Sequence, residues 1–310
     1  MSGACLYFAT RGTEWGRVRQ VLAGAHPVWV LAGILSVAAS LVIRARRWVQ
    51  LLRPVADVAM APALSSTAIG AAASAVLPLR LGELVRPALL GRRTGIGLSP
   101  ALASVVLERL FDVLFVVLCF LALSVVYPLP DALRVGAWCL ALTASSAVAV
   151  LVVVQHRRRT SERWLQVLLD RLPVRLARWC RPVAFGVLDG CTGLSNARAV
   201  LSVCGLSVCL WAVIGLVFLC SILALEIPVP LIPATLASVV IVAAFVLLPQ
   251  APGFVGTWQA GCVVALGLFG VPSEMAVGYS MLTWLLSMGV NVATGGFFLV
   301  REDRSLYDRV

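Results

Sequence analysis

MAPALSSTAIGAAASAVLPLRLGELVRPALL, running from Met60 to Leu90, is apolar enough for a membrane yet does not read as one unbroken helix. Small and aliphatic residues continue to Leu77, the chain turns at Pro78, and Arg80, Glu83 and Arg86 then follow at a spacing of three around Gly82. Proline removes a helical hydrogen bond and clashes with the turn before it, so the segment bends there. On a helical turn, residues three apart share a face, so the three charges line up. An apolar hairpin with charges at its bend is a membrane element, and the rest of the chain supplies the membrane protein around it.

Of 310 residues, 61% are apolar and 13% charged, and the mean hydropathy is +0.98. A water-soluble fold of this size has no interior large enough for that much apolar surface. The formal charge of +11 comes from 25 basic residues, all arginine. They sit in short clusters between apolar runs, which excludes a nucleic-acid-binding face and suits topology anchors. The nine cysteines lie mostly inside apolar runs without a CxxC pair, and only His26 and His156 are there to join them. They read as small apolar fillers, so no metal site, cofactor or catalytic group is expected.

A crossing of the roughly 30 Å bilayer core needs about 20 apolar residues. Full spans are expected at Pro27–Ile43, Leu98–Tyr127, Val135–Gln155, Val200–Leu225 and Ala276–Val300. Arginine-rich short loops mark the cytoplasmic side. Arg44, Arg46, Arg47 and Arg53, then Arg92 and Arg93, then Arg157, Arg158, Arg159 and Arg163, and finally Arg301, Arg304 and Arg309 are placed there. Pro128–Leu133 and Glu226–Pro230 face out, and Arg11, Arg17 and Arg19 fall on that side too. Parity then makes 60–90 a re-entrant hairpin from the cytoplasmic side and 230–270 a second one from the outside, the pattern of an inverted repeat. Val76-Leu77-Pro78-Leu79-Arg80-Leu81-Gly82 resembles Leu247-Leu248-Pro249 followed by Pro252-Gly253-Phe254-Val255-Gly256, and Gly97-Leu98-Ser99 resembles Gly270-Val271-Pro272-Ser273. The expected architecture is an all-α polytopic bundle forming one membrane domain. It comprises a first half at 27–154, a basic amphipathic cytoplasmic loop at 155–197, a second half at 198–300 and a cytoplasmic tail at 301–310. In the loop, Trp164, Leu165, Leu168 and Leu172, then Leu176, Trp179 and Val183, recur at helical spacing among arginines, a pattern for headgroups and anionic lipid as well as for a simple anchor.

Ionisable groups at membrane depth cost about 2.5–3.5 kcal/mol or more each, so they are normally paired and functional. Besides Arg80, Glu83 and Arg86, the following span carries Glu108, Arg109 and Asp112. At ~1.5 Å per residue, Glu108 lies about 15 Å inward from Leu98, with Asp112 one turn deeper. Three arginines against three carboxylates make either a self-neutralising structural network or a phosphate site, since guanidinium meets phosphate oxygens in pairs and keeps its charge when buried. Pro252, Gly253, Gly256 and Thr257 in the second hairpin suit backbone amides and a helix N-terminus offered to an anion, with Thr257 as N-cap.

Three ordered stretches carry a resemblance: Pro78-Leu-Arg80-Leu-Gly82-Glu83-Leu-Val-Arg86, Leu107-Glu108-Arg109-Leu-Phe-Asp112, and Pro249-Gln-Ala-Pro252-Gly253-Phe-Val-Gly256-Thr257-Trp-Gln259. They resemble the signature stretches of the flippase-like transmembrane family, which includes the membrane region of lysylphosphatidylglycerol synthases. Gln259 stands where many relatives carry glutamate. The resemblance implies a multi-pass protein of a bacterial inner membrane that moves a phospholipid or lipid-linked intermediate between leaflets. It also implies that Arg80, Glu83, Arg86, Glu108, Arg109, Asp112, Pro252, Gly253, Gly256, Thr257 and Gln259 bind the substrate. The aminoacyl transfer of the larger synthases is not expected, because residues 1–310 offer no soluble domain for it. A membrane-embedded lipid-linked transferase with Glu108 and Asp112 as base or metal ligands, and a non-catalytic subunit of a lipid-synthesis complex, stay open beside transport. The expected partner is a membrane lipid, with a second copy or a lipid-synthesis partner also open, and no nucleic acid.

Overall fold

The computed structural model describes residues 2–78, 81–128, 142, 146, 158–193, 197–246 and 251–307. Within them the chain is α-helical: α1 Ser2–Thr10, α2 Trp15–Ala23, α3 Pro27–Leu52, α4 Met60–Val76, α5 Gly82–Thr94, α6 Leu98–Val126, α7 Arg158–Asp170, α8 Val174–Gly193, α9 Ala197–Ala224, α10 Leu231–Val246, α11 Thr257–Gly267 and α12 Ser273–Tyr307. A 3-10 turn at Pro252–Phe254 precedes α11. Four helices are long and apolar enough to cross a membrane, at Pro27–Leu52, Leu98–Val126, Arg198–Ala224 and Ser273–Glu302. The expected span Val135–Gln155 lies outside the described residues apart from Leu142 and Ser146.

Antiparallel contacts order the bundle. The His26 amide donates to the Ala224 carbonyl at 2.8 Å, joining the start of α3 to the end of α9. Near the opposite ends of these helices, Arg47 donates to Ser207. Trp48 reaches Ser104 at 2.8 Å, so the end of α3 also meets the start of α6. At the other end of α6, the Tyr127 hydroxyl donates to Leu268 O and its ring packs on Phe269 at 4.8 Å.

The two bent regions fold as hairpins of short helices. Helices α4 and α5 have 17 and 13 residues, and α10 and α11 have 16 and 11. At ~1.5 Å per residue each is shorter than the roughly 30 Å bilayer core. Lipid offers no hydrophobic drive for one helix to leave it for another, so close packing of small residues joins such helices. Gly70 lets α4 meet α5 so closely that a Cβ there would lie 2.7 Å from Arg86 Cβ. At the open end of this hairpin Arg93 donates to Ser65 Oγ at 2.6 Å and pairs with Glu302 of α12. The second hairpin brings Gly261 against Val242 and opens beside Tyr127, so the hairpins open toward opposite ends of the bundle. Their tips meet, because the 3-10 turn packs on α4, with a Cβ on Gly253 lying 3.1 Å from Ala75 O. Helix α12 packs along both, its Gly295 against Ala68 and Ala72 and its Trp284 Nε1 donating to Gly253 O at 2.6 Å.

The first span departs from expectation. Its helix runs nine residues past Ile43 to Leu52, carrying Arg44, Arg46 and Arg47 inside a helix instead of in a loop. Helix capping does not stop it at the arginines, since arginine is a good helix former. Arg46 is exposed, whereas Arg47 has no exposed surface.

Candidate functional site

Arg47 is buried because three helices converge on it. Its Nη2 meets Glu108 Oε1 at 2.9 Å and its Nη1 meets Asp112 Oδ1 at 2.8 Å, both on α6. Nη1 also donates to Ser207 Oγ on α9 at 3.1 Å. One guanidinium thus spans two carboxylates a helical turn apart, which its planar fork allows and a lysine ammonium would not. Glu108, itself without exposed surface, gives its other oxygen to Arg86 Nη1 of α5 at 2.8 Å.

Arg86 is placed by packing as well as charge. Its guanidinium lies 3.9 Å over the Trp48 ring, a cation–π contact, while the indole N–H of Trp48 donates to Ser104 Oγ and so fixes the ring. Pro87 follows Arg86 inside α5, and Gly82 at the helix start fits against Gly70 and Ser74, where a side chain would collide. Asp112 extends the network to Arg109 Nη1 at 3.3 Å, and Arg109 Nε lies 3.7 Å from Glu83 Oε2.

The network is graded in accessibility. Its Arg47–Glu108 end is sealed, whereas the side chains of Arg109 and Glu83 are 37% and 32% exposed. Among the described residues the ion-paired groups of this network are three guanidinium groups and three carboxylates, and Arg44 lies in electrostatic reach of Glu108 and Asp112. Among the described residues, buried Arg86 Nη2 and Nε and Arg47 Nε have no hydrogen-bond acceptor. Buried N–H groups without partners are costly, and an oxyanion supplies what they lack. No three His, Cys, Asp or Glu side chains come together as a metal site among the described residues.

Of the residues expected at the site, Glu83, Arg86, Glu108, Arg109 and Asp112 are therefore brought together, and Arg80 lies outside the described residues. Pro252, Gly253 and Gly256 lie in a separate turn held against the end of α4 and against α12, and Thr257 and Gln259 in the first turn of α11 that follows it. Gly253 and Phe254 both have left-handed backbones, φ +68° and +60°, and Gly256 has φ +90°. For Phe254 that conformation costs on the order of 1–3 kcal/mol, and the contacts around the turn sustain it. The Gly253 carbonyl accepts from Trp284, and the Phe254 carbonyl accepts from Thr257 Oγ1 at 3.1 Å.

Thr257 does not act as the N-cap. Gly256 holds that position, Thr257 is the first residue of α11, and the Gln259 carboxamide accepts the Gly256 amide at 2.7 Å. The amides of Ala251 and Phe254 also have acceptors, Ser2 Oγ at 2.8 Å and Ala251 O at 3.2 Å. Gln259 accordingly caps its own helix with a neutral side chain at 5% exposure. Sequence reasoning missed Arg47, Trp48, Ser104 and Ser207. The available signal was Arg47 continuing the helical register of the span before it, immediately followed by an amphipathic aromatic.

This all-α fold, with apolar helices long enough to cross a bilayer and a charged network enclosed among them, defines a polytopic membrane protein. Residues 1–295 match the family described as the lysylphosphatidylglycerol synthase TM region, and the chain belongs to that family. No curated protein matches it.

Proposed function

We propose that this protein moves a phospholipid or lipid-linked intermediate between the leaflets of a bacterial inner membrane, holding an anionic headgroup at the Arg86–Arg109 edge of the charged network. One observation carries the reading: among the described residues, buried arginine N–H groups of the network have no acceptor, and the network opens at Glu83 and Arg109. A self-neutralising brace would be expected to pair those N–H groups internally. Glu108 and Asp112 hold the guanidinium groups in place while Arg86 Nη2 and Nε meet phosphate oxygens. The two hairpins are read as re-entrant elements of an inverted repeat, each entering from its own side, so the site communicates with one leaflet at a time. Their opposed open ends and touching tips support this reading.

Leaflet exchange of labelled lipids in reconstituted vesicles tests it. The protein is expected to accelerate exchange of an anionic phospholipid. Arg86→Lys, which keeps the charge and loses the fork, is expected to slow that exchange by about tenfold, the value of one charge-assisted hydrogen bond, while slowing a neutral lipid less. Protein that is folded and inserted yet accelerates neither lipid refutes transport. Consumption of a lipid-linked donor by that same protein would favour the transferase.

A further inference from the structure

The basic segment between the two halves folds as α7 and α8, which pack on one another. Leu169 of α7 is buried, 3% exposed, but the neighbouring stripe of Trp164, Val167 and Leu168 is uncovered, with Trp164 71% exposed. On α8, Leu176 and Trp179 share a face at a spacing of three, and Trp179 is 76% exposed. Two tryptophans and their aliphatic neighbours are thus left bare on helices whose remaining surface is strongly basic. Between 162 and 181 there are five arginines, Arg163, Arg171, Arg175, Arg178 and Arg181, against two carboxylates. All five arginines are exposed, and Arg181 pairs with Asp170 at 2.7 Å.

The position of the pair is fixed. Helix α8 packs on α6, where a Cβ on Gly186 would lie 2.9 Å from Ala103 Cβ and 3.8 Å from Ser99 O. Ser99 and Ala103 belong to the first turns of a span that begins at Leu98, so the pair sits where that span enters the membrane. Helices that leave Trp and Leu bare with exposed arginines beside them lie in the headgroup plane, the aromatic and aliphatic side chains reaching the acyl boundary and the long arginines bending up to lipid phosphates.

We propose that α7 and α8 form a docking surface for the anionic phospholipid headgroups of the bilayer that the chain itself spans. Trp164, Val167, Leu168, Leu176 and Trp179 insert, and Arg163, Arg171, Arg175 and Arg178 hold the headgroups. The proposal is independent of transport.

Hydrogen exchange of the full chain tests it, in nanodiscs of phosphatidylcholine alone and of phosphatidylcholine mixed with phosphatidylglycerol. The amides of 163–181 are expected to exchange roughly tenfold more slowly in the mixture, since each arginine near an anionic surface adds to the attraction. Raised salt is expected to remove that difference in the unaltered protein, and replacing Arg163, Arg171, Arg175 and Arg178 by Gln is expected to do the same. The salt arm needs no variant, so a misfolded variant does not blunt the test. Equal exchange in the two lipids, or slowing that survives salt, overturns the proposal. Slowing seen only when a second protein co-purifies overturns it too, in favour of a protein partner.

Discussion

Replacing Arg47 by Ala separates two accounts of this residue quantitatively. As a topology anchor among headgroups it would contribute little to stability, within about 0.5 kcal/mol as for most surface positions. In the structure its loss takes one partner from each of two buried carboxylates: among the described residues Glu108 is left paired with Arg86 and Asp112 with Arg109 at 3.3 Å, and a cavity opens between α3, α6 and α9. Breaking a buried pair by removing one partner costs about 3–5 kcal/mol, mostly for the charge left behind. Arg46, next in sequence and exposed, is the internal control. The assay is the unfolding free energy in detergent micelles, followed by tryptophan fluorescence. Arg47→Ala is expected to lose about 3–5 kcal/mol while Arg46→Ala stays within about 0.5. Arg47→Met combined with Asp112→Asn is expected to recover part of the loss, because Asp112 is the carboxylate left with the longer 3.3 Å contact while Arg109 retains Glu83. Equal stabilities for Arg47→Ala and Arg46→Ala would refute the argument, as would a double variant less stable than the sum of its parts.

Packing along α12 makes a second contrast. Gly295→Ala places a methyl against Ala68 and Ala72 and is expected to cost about 1–3 kcal/mol, whereas Gly296→Ala meets nothing within 4 Å and is expected to be neutral, both read by thermal unfolding. The orientation is checked with single cysteines at Ser161 and Pro228 in a background without native cysteines. They are expected to react with a membrane-impermeant thiol reagent from opposite sides, and labelling from one side would overturn the assignment.

The sequence shows its membrane class through composition and its hairpins through Pro78, Gly82 and Pro252, because proline and glycine break helices whatever surrounds them. Glu83, Arg86, Glu108, Arg109 and Asp112 are legible as one charged network for the same kind of reason: charge inside an apolar run is expensive, so it stands out. Arg47 was not legible. Composition places the end of its span at the first arginine, and only the convergence of α5, α6 and α9 on α3 distinguishes a buried arginine from a headgroup one. Thr257 failed for a subtler reason. Threonine suits an N-cap in general, but Gly256 supplies the positive φ and Gln259 the acceptor, so the helix starts one residue earlier in register.

Helix α12 ties three separated places together: Arg93 through Glu302, Ala68 and Ala72 against Gly295, and Gly253 through Trp284. The two hairpins are therefore bolted to one rod as well as to each other at their tips. A shift of either must bend that rod, break one of those fastenings, or carry the other hairpin along. A rearrangement that leaves the rod straight and its three joints intact consequently carries both hairpins as one linked assembly.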